Sequence, residues 1–328
     1  MTSTWQKQTA GVLLVATLIG AICQSQTLRS QEPGTNDPDP AVISNLIEQL
    51  GSSVFDEREA ALKSLRKLGP AARAQLFDAR NHKSPEVRSR VVQLMRQLDV
   101  TPLAEAIQAF ASQPDDKLDL EEGMWLMSRI LNPECQRVPL ARQLDALADA
   151  VRKKLGPDRI PKLTDPEQVV AALRATLFED LEFRGNFEDY ENPANSSLEK
   201  VLETKKGLPI LLSHVVVAVG RRLEIPIVGV PTPRRYIVKY DGERAPEGFP
   251  HQDIYFDPFN SGRLLDREGR LKTFPDVNPD QMVPPQSARY DLIRMLANFE
   301  TELFNRDESN RAYLAVAFRV ALHQNASD

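Results

Sequence analysis

The chain has 328 residues, length for about two domains, and 41% hydrophobic and 27% charged residues, a globular balance. A net charge of -5 makes no electrostatic case for a nucleic-acid partner. Two cysteines, Cys23 and Cys135, and four scattered histidines, His82, His214, His251 and His323, give neither a disulfide framework nor zinc-ligand spacing, so no metal or cofactor is expected.

At the N-terminus "MTSTWQKQ" carries Lys7 and no acid, "TAGVLLVATLIGAIC" is an unbroken apolar run, and "QSQTLRSQEPGTNDPDP" is polar and turn-rich. This pattern predicts a secretory signal over residues 1–25, cleaved after Ser25, and a linker over 26–40. The run is shorter than the roughly 20 residues of a comfortable membrane span. The expectation is export, periplasmic or extracellular, with no stable membrane span after cleavage. The alternative is an uncleaved segment that anchors the protein. Ile22 is a poor residue before a lipidated Cys23.

Helices follow. "AVISNLIEQL" places Ile43, Leu46, Ile47 and Leu50 on one face, and "DEREAALKSLRKLG" places Ala61, Leu62, Leu65 and Leu68 on one face, closed by Gly69. "PAARAQLFDAR" opens with Pro70, and "SPEVRSRVVQLMRQLD" opens with Ser84 as cap, Pro85 and Glu86. Arg58, Ala61, Leu62, Leu65 and Leu68 find counterparts about 30 residues on, in Arg88, Val91, Val92, Met95 and Leu98. Two helix pairs at this offset resemble HEAT-like repeats, over residues 41–100. A new helix is predicted at "TPLAEAIQAFAS", with Thr101 as cap and Pro102 at its first position. "LDLEEGMWLMSRILN", "PLARQLDALADAVRKKLG" and "DPEQVVAALRATLFEDL" are further amphipathic helices, the last capped by Asp165.

After Phe183 comes a polar loop and a short helix. "LPILLSHVVVAVGRRLE" is apolar nearly all round, which predicts a central buried helix. "IPIVGVPTPRRYIVKY" reads as strand, turn, strand, and "DIYFDPFNSGRLLD" as a strand ending at Asp257, then a loop. Two amphipathic helices broken at "NRDES" form a C-terminal helical hairpin over 284–328. The fold class is α+β, mostly helical, with a small antiparallel sheet.

The order and spacing of "FRGN", "NSSLEKVLETKKGLPI", "PRRY", "DPFNSGRLL" and "RMLANFE", between Leu118 and Leu322, resemble the SirB-type branch of the transglutaminase-like superfamily. The resemblance implies a transglutaminase-like (papain-like) core over residues 101–283, preceded by a helical lead-in. It also implies a nucleophilic site: a cysteine at the start of the buried helix, a histidine on the strand and a carboxylate. Here the cysteine position is Pro209, the histidine position is Arg235, and only the carboxylate, Asp257, is present. Proline carries no nucleophile and a guanidinium keeps its proton near neutrality, so the triad is degenerate. The resemblance places Arg235 and Asp257 on neighbouring strands, within ion-pair reach. An Asp before a proline also opens turns by itself.

Three functions remain open. One is a non-catalytic interaction protein with a protein partner. Another is a hydrolase or acyltransferase with a relocated site, for which Cys135 with His214 is the candidate pair. Ser213 neighbours His214 but faces elsewhere on a helix, and His251 has no nucleophile beside it. The third is a binding module in which Arg234 and Arg235 hold anionic peptides or small molecules in the former cleft.

Overall fold

The computed structural model describes residues 39–232, 235–273 and 287–325. The predicted signal, the linker up to residue 38, Arg234 and the boundary at 283/284 lie outside the described residues. The chain divides into two compact units between Ala106 and Ile107.

In the first unit, α1 (Pro40–Gln49), α2 (Phe55–Leu68), α3 (Arg73–Asp78) and the start of α4 (Pro85–Ala111) pack around Ile47, Leu50, Leu65, Leu76, Val91 and Leu94. The Asp39 carboxylate accepts from Ala41 N at 2.8 Å and caps α1. The break predicted at Thr101–Pro102 is absent: α4 runs straight through Pro102. An interior proline costs about 3 kcal/mol, because the carbonyl four residues earlier loses its partner. Leu103, Ile107 and Phe110 are buried at helical spacing beyond it, and each contributes about 1.5–3 kcal/mol by burial. That outweighs the proline, so the expected boundary at 100/101 falls inside a helix.

The second unit opens with α5 (Leu120–Leu131), α6 (Arg137–Leu155) and α7 (Pro166–Arg174), which widens into a π-helical turn over Ala175–Asp180. Asp119 and Asp165 cap α5 and α7 by accepting from Glu121 N and Glu167 N, both at 3.0 Å. A short parallel pair, β1 (Arg184–Gly185) with β2 (Lys206–Gly207), brackets α8 (Leu198–Thr204). The sequence reads this region as loop and helix only, because two-residue strands leave no alternation to detect.

The central helix α9 (Pro209–Arg222) is buried along nearly its whole length. It packs against β3 (Ile227–Pro231) and β4 (Tyr236–Tyr240). A Cβ at Gly220 would stand 2.8 Å from Ile227 Cβ, so the glycine permits this close approach. β5 (Ile254–Asp257) and β6 (Arg263–Leu265) complete an antiparallel sheet in the order β3-β4-β5-β6. β6 is a strand where the sequence predicts loop. Ile237, Tyr255 and Leu265 form a small core with Val230.

After α10 (Arg267–Thr273), α11 (Ala288–Asn305) and α12 (Ser309–Gln324) pair and pack on α5. Buried Arg289 pairs with Asp115 and donates to the carbonyls of Ala111, Gln113 and Leu322 at 3.1, 2.7 and 2.9 Å. Among the described residues no helix is long and apolar enough to cross a membrane.

Candidate functional site

Two of the degenerate triad positions, Arg235 and Asp257, meet at the end of β5. Asp257 is 1% exposed. Its Oδ1 accepts from Phe259 N at 3.0 Å and Asn260 N at 3.3 Å, and its Oδ2 accepts from Asn260 Nδ2 at 2.6 Å. Arg235 immediately precedes β4, in a turn closed by Thr232, whose Oγ1 accepts from Arg235 N at 3.1 Å and donates to Arg235 O at 2.8 Å. Arg235 Nη1 reaches Asp257 Oδ2 at 3.5 Å, with the arginine side chain 43% exposed. Asp257 thus both opens its turn and pairs with Arg235. Pro209 is buried at the first position of α9, where Leu208 supplies no side-chain cap. A proline ring at the helix start and a guanidinium beside the aspartate offer no thiolate and no neutral base.

The other candidates are not assembled into a relay. Cys135 is buried in the turn after α5, and burial, reinforced by Glu199, pushes its thiol up to about 12. His214 lies 3.3 Å from Asp291 of α11, through Nε2 and Oδ2, and 5.0 Å centroid to centroid from the Tyr236 ring. The Tyr236 hydroxyl donates to the same Asp291 Oδ2 at 2.8 Å, and its burial raises the phenol far above its ordinary range. Ser213 Oγ donates to Tyr236 O at 3.1 Å and so is engaged by backbone. His251 is exposed, and the partners of Asp257 among the described residues are Phe259, Asn260 and Arg235. Arg234 is outside the described residues. No group of three His, Cys, Asp or Glu among the described residues is placed to hold a metal ion.

Two further features escape sequence reasoning. Phe187 and Tyr190 project from the segment after β1 and meet Phe259 edge-on, with centroids 4.5 and 5.9 Å away. Glu302 on α11 is buried and accepts from Ser196 Oγ at 2.8 Å. Burial pushes its carboxyl up to about 8, against the Ser196 hydrogen bond and with help from Glu191. The signal for Glu302 is slight: an acid at helical spacing from apolar Phe299 and next to Leu303.

Residues 139–282 match the family described as the transglutaminase-like superfamily. A UPF0162 protein of Xylella fastidiosa (strain Temecula1) is 35% identical over 154 residues, which cover 44% of this chain and 52% of that protein. A UPF0162 protein of Vibrio cholerae is 26% identical over 147 residues, covering 44% and 50%. Human F-box only protein 21 is 26% identical over 177 residues, covering 48% of this chain and 28% of that protein. The matched region therefore spans about half the length of these UPF0162 relatives and less of the F-box protein. No solved structure matches.

Proposed function

We propose that this protein, which carries a transglutaminase-like domain over residues 139–282, is a non-catalytic interaction module of the SirB type, exported and acting on a protein partner. The observation that carries the reading is the pairing of Arg235 with Asp257, together with a central helix that starts at buried Pro209. The strand position that would hold a base holds a permanent cation, and the carboxylate that would orient the base orients that cation instead. The helices over residues 41–100 are read as HEAT-like pairs, a second surface for partners.

A relocated thiol site is the less favoured reading, because Cys135 is buried and its thiol is raised to about 12. A thiolate nucleophile needs the opposite shift. Assays of amine incorporation, peptide hydrolysis and ester hydrolysis test the proposal. The wild-type chain should show no turnover above background and no labelling by a thiol-directed probe. The double substitution Pro209→Cys with Arg235→His should gain weak esterase activity. Wild-type turnover that is lost on Cys135→Ser would overturn the proposal.

A further inference from the structure

The face around Asp257 presents two exposed aromatic rings beside one partly satisfied cation. Phe187 is 65% exposed and Tyr190 49% exposed. Both lean on Phe259, which is buried against Gly185; a Cβ at Gly185 would lie 2.5 Å from the Phe259 ring. The segment bearing them is pinned. Asn186 Nδ2 donates to Asn195 Oδ1 at 2.9 Å, and Asn195 Nδ2 donates to the carbonyls of Asp189 and Tyr190 at 2.7 and 3.0 Å. The rings are therefore fixed before anything docks, which lowers the ordering entropy that binding must overcome.

Arg235 is linked to these rings through Asp257, which pairs with it and accepts from the N–H of Phe259, the residue on which both rings lean. Its charge acts on the Tyr190 phenol, against the raising effects of burial and Glu302. It touches Asp257 through Nη1 alone, at 3.5 Å, while Asp257 accepts three further hydrogen bonds. Asp257 aims the guanidinium without saturating it. Among the described residues, Nε and Nη2 of Arg235 make no hydrogen bond, and a planar fork of this kind fits a carboxylate. The nearby acid Glu302 keeps its proton at neutral pH, with its carboxyl at about 8, so it does not repel an arriving anion.

We propose that this face binds the carboxyl-terminal residue of a peptide chain, with the carboxylate on Arg235 and an apolar side chain against Phe187 and Tyr190. A terminal residue carries its carboxylate and its side chain on one Cα, which matches a cation and rings that are joined through Asp257 and Phe259. Aromatic and arginine side chains are also the residues that anchor protein contacts. The assignment rests on the non-catalytic reading above, in that the bound terminus is held and not turned over.

Fluorescence anisotropy with the full chain tests this, using fluorescein-Gly-Ser-Val-Phe as the free acid, as the C-terminal amide, and an amidated peptide with an internal aspartate. The free acid should bind at least about tenfold more tightly than either amidated peptide. Arg235→Gln should erase that preference, and Phe187→Ser should weaken the free acid several-fold while keeping the preference. Should Arg235→Gln fail to fold, the wild-type comparison of acid with amide still decides. Equal binding of acid and amide, unchanged acid binding in a folded Arg235→Gln, or equal binding of the internal-aspartate peptide overturns the proposal. Chromatography of the recovered peptide separates the two readings. Cleaved peptide would refute the non-catalytic reading and leave the binding site standing.

Discussion

Arg235 and Asp257 form an ion pair of unequal partners: the carboxylate is 1% exposed and the guanidinium 43% exposed, 3.5 Å apart. The aspartate is held by three donors besides the arginine, whereas the arginine's one side-chain partner among the described residues is the aspartate. Removal of the two partners should therefore have very different consequences.

Arg235→Ala should cost only about 0–1 kcal/mol, because the lost side chain is half-exposed and three other donors still hold the buried carboxylate. Asp257→Ala should cost about 3 kcal/mol, because it strands the buried amide of Phe259 and the half-buried amide of Asn260. Urea denaturation of the two variants and their double mutant measures this. Equal losses would mean that the ion pair, and not the turn, holds this corner.

Glu302 should make stability fall as pH rises. Its folded carboxyl, at about 8, lies above the ordinary carboxylate value near 4.5. The folded state therefore binds the proton more tightly than the unfolded chain. The associated stability is fully present below about pH 4.5 and is lost as pH rises through about 8. Glu302→Gln keeps the shape, accepts from Ser196 and does not titrate. Relative to wild type it should gain stability between pH 5 and 8, at up to about 1.4 kcal/mol per pH unit. Parallel pH profiles for both proteins would refute the shift.

Cys135 should be inert in the folded protein. Its thiol is buried and pushed up to about 12, so thiolate is scarce at pH 8. With Cys23 replaced by serine, the chain should react with a disulfide reagent only on unfolding. Cys135→Ser should leave any assayable function intact. Fast stoichiometric labelling of native protein would contradict the burial.

Export should leave a mature chain that starts between Gln24 and Gln26. Lys7, the apolar run and the polar flank motivate this. N-terminal sequencing of protein from the native host checks it. Met1 retained in the cytoplasmic fraction would rule it out.

Helix ends and buried faces were legible in the sequence because they are local. Asp165 as a cap, the glycine stops at Gly69 and Gly156, and the apolar surround of α9 each follow from a few neighbouring residues and a 3.6-residue period. The pairing of Arg235 with Asp257 was legible for another reason: it follows from the resemblance of "PRRY" and "DPFNSGRLL" to known motifs. Pro102 shows the limit of local rules, since a residue that starts helices by habit is carried inside one when apolar burial on both sides outweighs its lost hydrogen bond. What only the tertiary structure decided are the meetings of distant residues. Tyr236 reaches Asp291 across 55 positions and Ser196 reaches Glu302 across 106. Phe187 and Tyr190 gather on Phe259 from another element of the chain. No periodicity encodes such contacts. They exist because α11 packs against α9 and the turn at 193–196, and that packing brings a few polar groups into the interior, where each must find a partner or give up its charge.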